Sequence, residues 1–523
     1  MNPAGVFMKY PEHIAGTKDY LGSDARRLVQ TADLCTSTFD LYGYARVVLP
    51  ILERSDIFLQ RSGEEIRSRM YIFTDPKGRT EICLRPEMTI SVARAFLERM
   101  ASRRLPVRLS YQGDVFRYDK VREGRYRQFL QAGVELIGSE NRLAADVEVT
   151  TLALEAVNKA GIADFRLLLG DLELAAEFIN SLPVSAAVRA RLMENFWRRE
   201  AFHLLLTRLS ESFPQNKLST DSAALELEKI LSSLGENAGR LLVRQILSLF
   251  VEKEIGYRDL DEIAERFLQR FTAGQEMFLP KDCAEAMQEY LAIAGPPDMA
   301  LEQLEKLLQR IGATPGPAFD AAHARVELLR SRGVLPANAQ IDLGFRRGIE
   351  YYTGFIFEIH CDYLGPVSQV CGGGRYDRLL AALGAPQQIP AVGFALGIDR
   401  LLLAIDKAGT ALNSRPGDSV DALAISIGQV PEETVWRIAQ TCRAAGWRVR
   451  AEFDSRRLKD LLGHASEEEI AYVILVGEDE MRDQCVKVKN MAERTEEIVA
   501  IDQLARYVRA AIERADQNNH EGP

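Results

Sequence analysis

Residues 116–138, FRYDKVREGRYRQFLQAGVELIG, constrain the fold more than any other stretch of the chain. A strand runs up to Phe116, a polar loop rich in arginine and glycine follows, and a second strand returns over Phe129–Ile137. Side chains on a strand repeat every two residues, so Gln131, Gly133 and Glu135 share one face. Arg117 and Phe129 fall at the two strand ends. An arginine there can grip phosphate oxygens through two parallel hydrogen bonds, and a phenylalanine offers a flat surface on which a purine can stack. Taken alone, the segment reads first as a solvated basic hairpin.

The flanking sequence places this hairpin in a sheet. A helix is expected over Asp24–Tyr42, then strands over Tyr44–Leu52, Met70–Thr74, Thr80–Leu84 and Val107–Phe116, rich in Val, Ile, Tyr and Phe. Strands joined by short turns, such as Asp75-Pro76-Lys77-Gly78, indicate an antiparallel sheet. From 144 to 335 the pattern becomes mainly helical, with periodic stretches at Ala223–Leu234, Leu241–Phe250 and Met299–Ile311. Strand character returns at Gln340–Leu343, Thr353–His360, Gln369–Gly372 and Ala391–Leu396. The expected fold is therefore α+β: a sheet formed by residues 1–143 and 336–408, flanked by helices and interrupted by a helical insertion over 144–335. A linker over 409–420 leads to 421–515, which alternates β-α-β-α-β-β-α as a small α/β domain does. Residues 516–523 read as a flexible tail.

At 523 residues the chain is too long for one core, and 47% hydrophobic with 27% charged residues is a soluble globular balance. No apolar run approaches membrane-spanning length, and the first residues lack the layout of a secretory signal. None of the seven cysteines forms a CxxC pair, so neither a zinc cage nor a disulfide framework is indicated, and a reducing cytoplasm is the expected location. A net charge of −10 argues against indiscriminate coating of nucleic acid, while leaving room for a local basic surface.

Four further segments accompany the hairpin. Leu84–Thr89 (LRPEMT) ends a strand with an arginine, a proline and a carboxylate. Arg347–Gly354 (RGIEYYTG) sets an arginine and two tyrosines before a strand. Gly372–Leu379 (GGGRYDRL) has three glycines that let backbone approach a ligand closely. Ala391–Leu401 (AVGFALGIDRL) runs from a strand into a helix and puts Arg400 near the helix start, where anions are favoured. Tyr351 and Phe394 read as packing rather than as ligands, and Asp399 reads equally as a helix-start residue or a functional one. His13, His203, His323, His360, His464 and His520 are scattered, and surface or core roles are the expectation for them.

In this order, the segments resemble the class II aminoacyl-tRNA synthetases, specifically the histidyl enzymes and their non-synthetase paralogues. Tyr42–Glu53 is similar to class II motif 1, with Pro50 at a dimer interface; Phe116–Glu135 is similar to motif 2 and Gly393–Leu401 to motif 3. RGIEYYTG and GGGRYDRL resemble the two histidine-specific signatures. The resemblance implies that Arg117 and Arg400 clamp the phosphates of ATP, with Mg²⁺ on the nucleotide and no protein-held metal. It implies that Phe129 stacks on adenine, beside Asp119, which stands where the family usually has Glu. Glu87 would bind the α-ammonium of histidine with Thr89 nearby, Gln131 its backbone, and Glu135 and Tyr352 its imidazole, with Tyr351 adjoining. Arg347 matches the arginine that contacts the carboxylate and α-phosphate. The 421–515 domain resembles an anticodon-binding domain, and the family forms homodimers.

Two functions share this pattern. One is histidine–tRNA ligase, with tRNA(His) as partner. The other is the catalytically silent, histidine-sensing regulatory subunit of ATP phosphoribosyltransferase, with that enzyme's catalytic subunit as partner. Met88 and Leu130, where bacterial ligases usually carry Gly and His, lean to the paralogue. The complete motif 2 loop, Arg347 and the C-terminal domain lean to the ligase, which is the expected function.

Overall fold

The computed structural model describes residues 13–59, 66–75, 77–78, 80–196, 199–210, 242, 245, 279–346, 350–409, 420–452, 457–468 and 470–520. Two compact units emerge: residues 28–410 with 1–19, and residues 411–523 with 20–27.

The strands of the first unit are β1 (Ala45–Val47), β2 (Leu52–Arg54), β3 (Tyr71–Thr74), β4 (Glu81–Leu84), β5 (Val107–Phe116), β6 (Gln128–Ile137), β7 (Arg166–Asp171), β8 (Ala294–Gly295), β9 (Gln340–Asp342), β10 (Phe355–His360), β11 (Gln369–Arg375) and β12 (Ala391–Gly397). Nine of them form one sheet in the order β1-β5-β6-β12-β11-β10-β7-β9-β8, and β2-β4-β3 form a small second sheet. The expected hairpin is its longest pairing, β5 against β6 from Val107↔Ile137 to Phe116↔Gln128. Pairing is antiparallel throughout except β1 with β5 and β7 with β9.

The helix Arg142–Lys159 lies against β6, β10, β11 and β12 and is buried along most of its length, which explains its weak polar face. Asn141 starts it, its side chain accepting the Ala144 N–H at 3.0 Å. With this helix on one face and the cavity on the other, β6 is buried on both faces from Gln131 to Ile137.

Two stretches of the first unit depart from expectation. The strand expected over Tyr44–Leu52 is two, β1 and β2, in different sheets. Arg85 holds the crossing between them, donating from Nη1 to the carbonyls of Leu49 (2.8 Å) and Pro50 (3.1 Å). The mainly helical stretch 144–335 contributes β7 to the sheet, between β10 and β9. Its apolar run, RLLLG, is too short for periodicity to separate strand from helix. The stretches Ala223–Leu234 and Leu241–Phe250 lie outside the described residues apart from Leu242 and Gln245, whereas Pro297–Arg310 is a helix as expected.

The second unit has a five-stranded sheet ordered β14-β13-β15-β16-β17, from β13 (Ala422–Ile427), β14 (Val449–Glu452), β15 (Tyr472–Gly477), β16 (Cys485–Asn490) and β17 (Thr495–Ala500). Helices Glu432–Ala444 and Leu504–His520 pack near Trp447, which stacks on Tyr472 at 4.5 Å. β17 was not expected because it is an edge strand with only Val499 buried, so it carries no apolar alternation. The last helix runs on to His520, where a flexible tail was expected from 516.

Candidate active site

The first unit contains a cavity of about 390 Å³ on the face of the sheet opposite the helix Arg142–Lys159. Glu87, Thr89, Arg117, Asp119, Phe129, Gln131, Tyr351, Tyr352 and Arg400 all line it. Arg347 lies outside the described residues.

At one end the groups are acidic and aromatic. Both Glu87 oxygens accept backbone N–H groups, from Thr89 at 3.0 Å and Ile90 at 2.8 Å. Glu87 thereby caps the helix Thr89–Arg99, a task for which Met88 has no side-chain acceptor. The Tyr351 hydroxyl also donates to Glu87, at 3.1 Å. Burial pushes the Glu87 carboxyl up, while those N–H groups and the charge of Arg117 pull it back. Tyr351, read from sequence first as packing, is thus also a polar member of the wall.

Glu135 is placed differently from expectation. It is wholly buried and does not line the cavity; Tyr376 and Gly393 stand in front of it. The Tyr376 hydroxyl donates to its Oε2, and Oε1 is buried without a hydrogen-bond partner among the described residues. Burial, with the neighbouring Glu87 charge, pushes Glu135 up to about 8, against the hydroxyls of Tyr376, Thr89 and Tyr111. Gly393 makes this layering possible: a Cβ there would stand 1.8 Å from Glu135 Oε2. The side-chain carbonyl of Gln131 is also buried without a hydrogen-bond partner among the described residues, and it does face the cavity.

The other end is cationic. Arg117 donates from Nε to the Pro86 carbonyl at 2.7 Å, and its guanidinium sits 5.5 Å from the Phe129 ring centre. Arg400 donates to the carbonyls of Gly124 (2.8 Å) and Gln369 (2.9 Å), which ties the motif 3 helix to the tip of the hairpin loop. Gly124 has φ +70° there, and a Cβ on it would stand 3.0 Å from Leu403 and 3.3 Å from Val367. Burial, and then the charges of Arg117 and Arg125, lower the Arg400 pKa, the signature of arginines gathered without enough anion. Asp119 is committed to Arg69 at 3.1 Å and Arg125 at 3.0 Å. It holds the loop as well as facing the cavity.

Sequence reasoning missed Tyr376, Arg69, Arg125, Glu358 and His360 as lining residues. His360, expected on the surface or in the core, has Nε2 2.9 Å from Glu358 and Nδ1 3.0 Å from Ser368. The available signal was their i, i+2 spacing on an expected strand, which puts Glu358 and His360 on one face. The glycine run also works differently from expectation. Only Gly372 lines the cavity; Cβ atoms at Gly373 and Gly374 would strike Phe357 and Tyr352, so these two serve close packing.

An antiparallel sheet that receives arginines from a hairpin on one side and from a strand-to-helix turn on the other is the catalytic fold of the class II aminoacyl-tRNA synthetases. The chain belongs to the histidyl-tRNA synthetase family: residues 16–253 and 251–401 match the family model described as Histidyl-tRNA synthetase. Residues 421–511 match the one described as Anticodon binding domain. Among curated relatives, the histidine–tRNA ligase of Methanocaldococcus jannaschii is 30% identical over 94% of this chain and 98% of its own. That of Pyrococcus furiosus is 29% identical over 96% and 99%. The crystal structure of histidyl-tRNA synthetase from Nostoc sp. PCC 7120 shares the fold, with a TM-score of 0.64 at 20% identity over 96% of this chain and 99% of that one.

Proposed function

We propose that the protein is a histidine–tRNA ligase, which activates histidine with ATP to histidyl-adenylate and passes the histidyl group to tRNA(His). The observation that carries this reading is the meeting, in one cavity, of an acidic and aromatic end and an arginine-lined end drawn from well-separated stretches of chain. Nearly full-length similarity to curated ligases supports it over the regulatory paralogue.

In this reading the α-ammonium of histidine binds Glu87, and its charge favours the ionised carboxylate. Gln131 takes an N–H of the amino-acid backbone, beside Thr89 and Tyr351. The imidazole meets Tyr352 and Tyr376, and Glu135 acts from behind Tyr376. Because Tyr376 donates its O–H to Glu135, its hydroxyl oxygen is left to accept the imidazole N–H, and a competitor lacking that N–H would leave it unpaired. Phe129 stacks on adenine, with Asp119 holding the loop around the nucleotide.

Activation needs positioning more than covalent help. A carboxylate oxygen of histidine bonds to the α-phosphorus as the bond to the β-phosphate breaks, and pyrophosphate leaves with that electron pair. Arg117 and Arg400 place positive charge where negative charge builds up, and Arg347 is assigned the same task by its signature. Mg²⁺ bound with ATP neutralises phosphate charge. Glu358, which faces the cavity beside Arg400, is a carboxylate that would meet an ion carried mainly by the nucleotide.

The second unit is assigned to tRNA, with Arg457 and Lys459 exposed at the start of the helix Leu458–Glu467. Lys487 is paired with Glu480, and Arg456 lies outside the described residues. A homodimer through the motif 1 segment accounts for the exposure of Val48 (90%) and Leu52 (52%) beside Pro50. A cytoplasmic location is consistent with helices among the described residues, none of which is long and apolar enough to cross a membrane.

The deciding experiment is histidine-dependent ATP–pyrophosphate exchange followed by charging of tRNA(His). Exchange that requires histidine and disappears in Arg347→Ala supports the ligase. No exchange above background with folded protein overturns it.

A further inference from the structure

Behind the acidic end of the cavity lies a buried charge network that the reaction itself does not use. Arg375, on β11, is 1% exposed. Its Nε donates to Asp146 Oδ1 at 2.9 Å, its Nη1 to Asp377 Oδ1 at 2.9 Å, and its Nη2 to the Arg142 carbonyl at 2.9 Å. Asp146, on the helix Arg142–Lys159, is shared. Its other oxygen takes Arg325, at 3.2 Å from Nε and 3.1 Å from Nη2. Arg325 comes from the helix Pro317–Ser331, late in the stretch that interrupts the core. It also reaches Asp171 at the end of β7, at 3.1 Å, and lies 4.2 Å from the Phe355 ring centre.

We infer, on the basis of the ligase reading above, that Arg325 is a positioning residue for histidine recognition, acting through Asp146 and Arg375 on the tyrosines of the pocket. Tyr376 follows Arg375 directly in the chain and holds Glu135. Thr353, which follows Tyr351 and Tyr352, donates its N–H to the Arg375 carbonyl at 2.8 Å and accepts the Asp377 N–H at 3.1 Å. Tyr376 is therefore next to Arg375 in the chain, and Tyr352 and Tyr351 stand one and two residues before Thr353, which is bonded to the Arg375 backbone. At the cationic end Arg117 and Arg400 donate to the carbonyls of Pro86, Gly124 and Gln369.

A core built only for stability gains little from buried ion pairs, which apolar side chains often replace without loss. What such a network supplies is fixed direction: a planar fork admits one arrangement of its carboxylates. Arg325 thus makes the geometry of the histidine pocket depend on the docking of a helix whose residues touch neither substrate.

The test compares full-length wild type with Arg325→Met, with Arg325→Lys, and with Arg325→Met/Asp171→Asn, which removes one charge of each sign. Histidine and ATP binding are measured separately by calorimetry, and folding by thermal melting. The expected result is histidine affinity weakened on the order of tenfold or more, because a misplaced supporting group costs that much, with ATP affinity unchanged. In Arg325→Lys the melting temperature returns toward wild type while histidine affinity stays weak, because one ammonium cannot reproduce the fork. Should Arg325→Met fail to fold, the charge-balanced double variant and the lysine variant carry the same comparison. Unchanged histidine affinity in the folded variants, or parallel loss for both ligands, overturns the inference. Binding rather than exchange is the readout, so failure of the ligase reading, seen as wild type that binds histidine without exchange, remains a separate result.

Discussion

The backbone N–H of Leu130 donates to the Asp399 carboxylate at 2.7 Å. This one bond ties the end of β6, which carries Phe129 and Gln131, to the start of the helix that carries Arg400. The two walls of the nucleotide end are thus registered to each other by a side chain that sequence alone left equally open to a helix-start or a functional role.

Removing this tie should loosen the nucleotide end selectively. Asp399→Ala orphans a part-buried N–H, at a cost of about 1–3 kcal/mol. The ATP KM in pyrophosphate exchange should rise, with the histidine KM little changed. Asp399→Asn keeps an acceptor and should fall between that variant and wild type. Equal shifts in both KM values in Asp399→Ala would contradict the assignment.

The arginines should act on the rate. Arg117→Ala is expected to lower kcat for exchange by roughly 10²–10³, the range for loss of one group that stabilises developing charge. Arg117 donates to the Pro86 carbonyl and its charge also favours the ionised form of the buried Glu87, so thermal melting is measured alongside to show that the variant is folded. Rapid single-turnover measurement of adenylate formation separates this from slow product release.

Glu135 should impose a pH dependence on stability. Its folded-state value is about 8, against an ordinary 4.5 in the unfolded chain. The folded protein keeps a proton that the unfolded chain releases, so this group's stabilisation is complete below 4.5 and is lost as pH rises toward about 8. Melting temperatures of wild type and Glu135→Gln, followed across that window, should diverge in favour of the glutamine variant as pH increases. Parallel curves would show that Glu135 does not carry the raised value.

Gly393→Ala should be among the most damaging small substitutions in the chain. The added methyl would lie 1.8 Å from Glu135 Oε2 and 2.4 Å from the Val134 carbonyl. Overpacking of a tight core costs about 1–3 kcal/mol, occasionally more. Denaturant unfolding should show that loss, and histidine binding should weaken with it as Glu135 and Tyr376 are displaced.

In the second unit, Arg457→Ala/Lys459→Ala should weaken tRNA binding and flatten its salt dependence while leaving pyrophosphate exchange intact. Each lost phosphate contact removes about one unit of salt slope. Filter binding at several salt concentrations provides the measurement, and an unaltered slope would place the tRNA contact elsewhere.

The sequence by itself determined the elements whose signal is local. The β5–β6 hairpin follows from alternating apolar residues around a polar loop. The strand-to-helix turn at Gly397 follows from a change of period, and the β-α order of the C-terminal unit from regular spacing. It also nominated the residues of the cavity, because motif spacing survives in one dimension. Only the tertiary structure decided which side of a wall each group stands on. Glu135 meets Tyr376 across 241 residues of chain, Tyr351 meets Glu87 across 264, and Asp399 meets Leu130 across 269. Burial and the layering of one side chain behind another depend on which distant segments pack together, and periodicity along a strand carries no record of that. Arg325 makes the same point: nothing local marks it, and its importance lies in two carboxylates brought to it by folding.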